Sequence, residues 1–230
     1  MEKFVRFQLP PAEKILRDLI VLDGFVPEQV CNELVAVHQR FGSANQHSDN
    51  GFYVPNLKHL YPALFWTVRA IIHTVVCLIQ QHFAEAVGCD LALLCGITGA
   101  FRHTLHADNS YVFCPRHGNN AEELRMLQCR CEDIEIRPNH TFWRRYSVLM
   151  YLDDDHEGGD IVFGEGPNVF GAIYRKEIVV TRGLLVLSPS NELYHHRTTP
   201  VERGTRYSLN TWFTADADRF CESLIPATYL

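Results

Sequence analysis

The sequence has no cluster of basic residues, no uninterrupted apolar run of membrane length and no internal repeat. Each absence removes a class of function. Its 21 Lys and Arg are scattered among 27 Asp and Glu, for a net charge of −6. Such a chain has no stripe to release counterions from a phosphate backbone, so nucleic acid is not an expected partner. The longest apolar stretch, Ala63 to Val87, is interrupted by Arg69, His73, Gln80, Gln81, His82 and Glu85. A transmembrane span is therefore not expected, nor a membrane partner. Met1 to Asp23 mixes charged with apolar residues and lacks the apolar centre of a secretory leader, so the expectation is a cytoplasmic protein. In that setting the 8 cysteines are expected to be thiols or metal ligands. Cys31, Cys77, Cys89 and Cys95 lie among apolar residues and read as small core hydrophobes. Nothing in the pattern indicates an oligomeric state.

What is present is ordinary globular material, 47% hydrophobic and 21% charged over 230 residues, enough for one well-buried domain. Phe25-Val26-Pro27 leads into Glu28 to Phe41, where Val30, Cys31, Leu34, Val37, His38 and Phe41 recur at helical spacing. Pro stands at the first position and Gly42 just past the end. A polar loop follows to Gly51. A second helix is predicted from about Pro62 to Val87, with Leu64 to Phe83 supplying a broad apolar face that includes His82. His38, His73 and His82 read as packing residues of these helices. After Gly88 the pattern changes to short β-rich runs: Leu91 to Ile97, Phe101 to His106, Tyr146 to Leu152, Asp160 to Phe163, Glu177 to Val180, Leu184 to Leu187 and Arg206 to Phe213. The fold class is α+β: helical support over 1–89, and a strand-rich core over 90–215 arranged as an antiparallel sandwich or barrel. The core carries an insertion at 110–143, and 216–230 form a tail.

His106-Ala107-Asp108 ends one of these runs, and residues two apart on a strand share a face, so an imidazole and a carboxylate can reach one ion. A second such triplet, His47-Ser48-Asp49, falls in the polar loop and reads as solvated. What distinguishes the first is its company. His196 arrives later, and Arg206 follows ten positions after it at the start of a strand. Two His and one carboxylate form the facial set that leaves half of an Fe(II) octahedron open. An arginine fork suits the far end of a dicarboxylate. Glu157-Gly158-Gly159 reads as a tight turn that needs positive φ, and Asp153 to Asp155 as a solvated acidic loop.

The run from His106 to Asn109, RRYSVLMYLDDDHEGGDIVF (Arg144 to Phe163), GLLVLSPSNELYHH (Gly183 to His196) and RGTRYSLNTWFT (Arg203 to Thr214) together resemble Fe(II)/2-oxoglutarate-dependent dioxygenases. Within them, the resemblance is to the prolyl and lysyl hydroxylase branch, and most of all to the catalytic domain of collagen prolyl 3-hydroxylases. It implies a double-stranded β-helix (jelly roll) using Fe(II), 2-oxoglutarate and O2, and releasing succinate and CO2. It also implies that His106, Asp108 and His196 bind the metal and that Arg206 pairs with the outer carboxylate of 2-oxoglutarate. His195 is one short of the family's spacing to that arginine, which leaves it a supporting or surface role. Trp212 matches an aromatic near the iron, and reads equally as a core tryptophan of its strand. A hydroxyl on the strand preceding Glu157 contacts the cosubstrate, with Tyr146, Ser147 and Tyr151 as candidates. Alternation puts Ser147 and Tyr151 on one face and Tyr146 on the other.

The insertion departs from the family pattern. Cys114, His117, Cys129 and Cys131 leave open a structural zinc, a disulfide or free thiols in a lid over the substrate. The expected activity is hydroxylation of an amino acid or peptidyl residue, a prolyl group first. The alternatives are the same chemistry on a small-molecule natural-product intermediate, or a non-catalytic jelly-roll binding module.

Overall fold

The computed structural model describes residues 12–42, 51–99, 106–109, 112–113, 135–136, 141–164 and 174–224. The first part of the chain forms α1 (Ala12–Arg17), β1 (Ile20–Leu22), α2 (Glu28–Phe41), β2 (Gly51–Tyr53), α3 (Leu57–Leu60) and α4 (Pro62–Phe83). There follow β3 (Gly88–Ile97), β4 (Val112–Phe113), β5 (Glu135–Ile136), β6 (Arg144–Tyr151), β7 (Glu157–Gly158), β8 (Ile161–Phe163) and β9 (Lys176–Ile178). The last strands are β10 (Leu185–Pro189), β11 (His196–Thr198), β12 (Val201–Arg203) and β13 (Arg206–Thr214).

Six strands form one antiparallel sheet in the order β1-β10-β6-β13-β3-β2, and β11-β8-β9 form a smaller one. Alternation divides the large sheet into two unlike faces. On one, Leu94, Val148, Met150, Leu187 and Leu209 pack with Leu34, Phe65, Val68, Ile72 and Ile79 of α2 and α4. On the other, Tyr151 and Val186 meet Ile161, Phe163 and Ile178 of the small sheet. The helices thus stiffen the sheet from behind, and the polar chemistry lies between the two sheets. Helices backing an antiparallel sandwich are what the patterning predicted. The short strands β1, β2, β4, β5, β7, β11 and β12 were not predicted, because two or three residues give no period to read.

Several local expectations change. The helix predicted to reach Val87 ends at Phe83, because Ala84 turns into the left-handed region at φ 55°. His73, Cys77 and His82 face solvent on α4 rather than its apolar stripe. By length and composition α4 is apolar enough to cross a membrane, contrary to the sequence expectation, since Arg69 is the one charged residue within its bounds. Yet Leu64, Phe65, Val68, Ile72, Val75 and Ile79 are buried in the core, as in a helix packed on a sheet. Gly42 ends α2 at φ −59°, so its freedom at positive φ is not used. A Cβ there would instead stand 2.6 Å from the His38 ring, and it is this close approach that requires glycine. Asp153 is not a solvated acid: it is buried, accepts the Tyr207 backbone N–H at 3.1 Å and lies 3.5 Å from His156. His47 and Asp49 lie outside the described residues, as do Phe101 to Leu105 of the predicted strand.

Candidate active site

The inner face of the large sheet carries a row of side chains set by register. On β6 and β13, Ser147 lies opposite Trp212, Leu149 opposite Asn210 and Tyr151 opposite Ser208. Arg206 begins the same face of β13. The two ends of this row differ in chemistry.

At the Ser147 end stand His106, Asp108 and His196. A reciprocal backbone bridge joins two of them: the His106 N–H donates to the His196 carbonyl at 3.0 Å, and the His196 N–H to the His106 carbonyl at 2.8 Å. The two rings consequently lie 4.7 Å apart between centroids. His106 Nε2 is 3.8 Å from Asp108 Oδ1. The other carboxylate oxygen, Oδ2, accepts the Ser147 hydroxyl at 2.6 Å, and Ser147 is in turn 2.7 Å from the Ser190 hydroxyl. Burial works against ionised Asp108, but His196, His106 and the Ser147 hydroxyl outweigh it and hold the carboxyl below its ordinary pKa.

His196 Nδ1 lies 3.0 Å from the Tyr194 carbonyl, so the proton of the neutral ring belongs on Nδ1 and the Nε2 lone pair is left available. Burial, reinforced by His106 and partly opposed by Asp108, lowers this imidazole to about 4 and keeps it neutral at physiological pH. Among the described residues, no three His, Cys, Asp or Glu side chains already converge as a formed coordination sphere. The three groups are neighbours with a donor set of two imidazoles and one carboxylate, the set that suits Fe(II).

At the other end, Arg206 is 3% exposed. Its Nη1 donates to the Gly159 carbonyl at 2.9 Å and the Thr198 hydroxyl at 3.2 Å, and the guanidinium lies over the Tyr151 ring, 5.4 Å from its centroid. Gly158 and Gly159 adopt φ 71° and 79°, the positive values read from the sequence. Gly159 does more than turn. A Cβ on it would stand 3.0 Å from Arg206 Cδ, so the glycine also makes room for the arginine stem. Arg206 Nε, Tyr151 Oη and Ser208 Oγ are buried with no hydrogen-bond partner among the described residues. A buried polar atom without a partner is costly, about 1–3 kcal/mol each. Three of them around a buried cation form a cradle for an anionic oxygen ligand. Burial raises the Tyr151 phenol to about 12 although Arg206 pulls the other way, so it stays a hydrogen-bond donor.

The remaining candidates sort by face. Tyr151 points into the chamber, as the alternation allowed. Ser147 does too, but its hydroxyl is committed to Asp108 rather than to a cosubstrate. Tyr146 is corrected: it points to the helical side, its ring 4.6 Å from Phe83 and its hydroxyl 2.6 Å from Glu85 Oε2. Trp212 lies on the chamber face, covered by the Arg144 guanidinium at 4.2 Å, which Asp90 Oδ2 holds at 3.2 Å. His195 is fully buried, with its ring beside Tyr174 and Nδ1 3.1 Å from the Glu192 carbonyl, so the surface role is excluded. Ser208 was missed by sequence reading, although its position two residues after Arg206 on a strand was signal enough. Cys114, His117, Cys129 and Cys131 lie outside the described residues.

Residues 95–214 match the sequence model of the 2OG-Fe(II) oxygenase superfamily. Prolyl 3-hydroxylase 2 of Rattus norvegicus is 31% identical over 116 residues, which cover 50% of this chain and 14% of that protein. Prolyl 3-hydroxylase 3 of Homo sapiens is 36% identical over 112 residues, covering 49% of this chain and 13% of that protein. The chain therefore spans a small part of the length of the curated relatives it matches. Among solved structures, a Trichoplax adhaerens prolyl hydroxylase in complex with a hypoxia inducible factor oxygen degradation domain peptide fragment superposes with a TM-score of 0.59. It has 14% identity and covers 88% of this chain and 86% of that one. A Pseudomonas putida prolyl-4-hydroxylase gives a TM-score of 0.56 at 16% identity, covering 86% and 92%. These likenesses give the fold, a jelly-roll core.

Proposed function

The chain belongs to the 2OG-Fe(II) oxygenase superfamily, and from that premise we propose that it hydroxylates a prolyl residue, with His106, Asp108 and His196 holding Fe(II) and Arg206 holding 2-oxoglutarate. The observation that carries this reading is the pairing of two unlike ends on one sheet face: a His, Asp and His group at one, a buried arginine among unpartnered polar atoms at the other. The metal and its cosubstrate, when bound, supply oxidative decarboxylation to succinate and CO2 and insert one oxygen atom of O2 into a C–H bond.

The protein's own contributions follow from the geometry. Arg206, fixed by Gly159 and Thr198, presents its fork to the outer carboxylate, while Tyr151 and Ser208 donate their hydroxyls to the same group. His196 offers Nε2 because Tyr194 fixes the other ring nitrogen. Asp108 offers Oδ1 because Ser147 occupies Oδ2. The Trp212 ring, held flat by Arg144, lies beside this end and suits an apolar five-membered ring.

The prolyl preference is supported by the prolyl 3-hydroxylase relatives. It is tested by mass spectrometry of proline, lysine and short peptides incubated with Fe(II), 2-oxoglutarate and O2. A +16 product on prolyl groups is expected. A product on small molecules alone would favour the natural-product reading, and failure to form succinate with any substrate would favour a binding module. Ser147→Ala should weaken Fe(II) affinity by about 10–100-fold, because the group that orients the ligand carboxylate is lost. Metal titration followed by calorimetry checks this, and unchanged affinity would remove Ser147 from that role.

A further inference from the structure

We infer that Asn210 holds the inner, 2-oxo acid end of the cosubstrate, its side-chain amide turning over to give Nδ2 to that carboxylate. This rests on the oxygenase reading above and concerns a buried polar side chain which that reading leaves unused.

The position of Asn210 follows from register. Arg206 sets its guanidinium over the Tyr151 ring, and Tyr151 lies opposite Ser208, so the outer carboxylate belongs at that pair. Two steps along the same face, Ser147 lies opposite Trp212, and Ser147 is bonded to Asp108. Between these two pairs stand Leu149 and Asn210, opposite one another. Each step is two residues of strand, about 7 Å. A five-carbon diacid is comparable in length, so one anchored beside Tyr151 and directed toward Asp108 brings its inner end to Asn210. Leu149 flanks Asn210 on β6 and Leu93 flanks it on β3. Of these three side chains the amide is the one able to meet a charge, and the leucines suit the methylenes.

The hydrogen bonding of Asn210 fits such a ligand after one rotation. The residue is 8% exposed. Its Nδ2 donates to the Cys95 sulfur at 3.6 Å, a weak acceptor, and its Oδ1 has no partner among the described residues. A buried acceptor left in that state is costly. A 2-oxo acid anion has no hydrogen to give it. Turned half a revolution about its last bond, however, the amide fills almost the same space with its two ends exchanged. Oδ1 then faces the Cys95 thiol, which can donate as well as accept, and which gives up only a long contact of 3.9 Å to the Leu93 carbonyl. Nδ2 faces the chamber with its hydrogens available to a carboxylate. In that orientation both ends of the amide are paired, and the bond to the ligand is charge-assisted.

The test uses the full chain with Fe(II) and without O2, and calorimetry with two probes. One is 2-oxoglutarate; the other is 2-oxopentanoate, which keeps the 2-oxo acid and ends in a methyl group. Asn210→Leu removes both hydrogen-bonding atoms and should weaken the two probes by the same factor, at least about tenfold, as expected for a hydrogen bond to a charged group. Arg206→Lys should weaken 2-oxoglutarate alone. Asn210→Asp has the native size but sets one carboxylate against another, so it should weaken both probes further and serves in place of the leucine variant if that fails to fold. A merely structural asparagine predicts the opposite pairing of effects. Because Asn210→Leu removes a buried unpartnered acceptor, the variant without ligand should melt no lower than the native chain even though it binds more weakly. Unchanged affinity for both probes overturns the inference, and so does a loss confined to 2-oxoglutarate, which would put Asn210 at the outer end with Arg206. If neither Arg206→Lys nor the Asn210 variants alter 2-oxoglutarate binding, the cosubstrate lies outside this chamber and the reading of Arg206 falls as well.

Discussion

Alanine at His196 should reduce iron-dependent turnover by about a thousandfold or more, because a bound metal contributes several kcal/mol to the barrier and each 1.4 kcal/mol is a factor of ten. Two features make this position less forgiving than an exposed ligand. His196 is 8% exposed, so its ring sits among packed neighbours rather than at the open surface. Its ring is also packed 5.2 Å from Phe163 and 4.7 Å from His106, so its loss removes a wall as well as a donor. The neighbouring His195→Ala is the informative control. His195 is fully buried beside Tyr174, so its removal should destabilise the fold by the cost of a core cavity, about 1–3 kcal/mol, and lower the melting temperature accordingly, while leaving turnover per folded molecule largely intact. Succinate release normalised to folded protein, measured beside thermal unfolding, separates the two. Equal loss of specific turnover in both variants would remove His196 from the metal.

Arg206→Lys should raise the apparent KM for 2-oxoglutarate by about 30-fold with Fe(II) affinity unchanged, a loss of about 2 kcal/mol for a buried charge-assisted contact. Lysine keeps the charge but not the planar fork. Arg206 spends Nη1 on the Gly159 carbonyl and the Thr198 hydroxyl while the rest of the guanidinium stays directed at the cradle. One ammonium cannot do both with the same geometry, and its shorter reach leaves Tyr151 and Ser208 facing an incompletely bound carboxylate. The measurement is the 2-oxoglutarate dependence of decarboxylation at saturating metal. An unchanged KM would place the cosubstrate elsewhere in the chamber.

Much of this site was legible in the sequence because its parts obey short-range rules. The two-residue step from His106 to Asp108 brings an imidazole and a carboxylate together, and they lie 3.8 Å apart, although Asp108 falls in a bend rather than on a strand. The Gly158-Gly159 pair has the positive φ expected of it, although Gly158 belongs to β7 rather than to a turn. Tyr146 and Ser147 show where the rules stop. Alternation put them on opposite faces but could not say which face was inner, because both are half-apolar and the decision is made by α4, whose Phe83 receives the Tyr146 ring. Cys77 and His82 show the same limit on a helix. On α4 nearly every residue is apolar or uncharged, so the pattern has no polar stripe to mark the solvent side. The contact between Ser147 and Asp108 joins residues far apart in sequence and depends on a register that no local signal encodes.

The bridge between His106 and His196 has a further consequence. Its two hydrogen bonds run between main-chain atoms, so the spacing of the two histidine backbones does not depend on any side chain, nor on an ion drawing them together. The entropy of bringing these distant segments side by side is met when the sheets assemble. An arriving cation then finds the two histidine segments already paired, and what remains is to turn the side chains of His106, Asp108 and His196 toward it. Affinity in such an arrangement is limited by ligand chemistry rather than by chain organisation, and metal can exchange without the scaffold loosening around it.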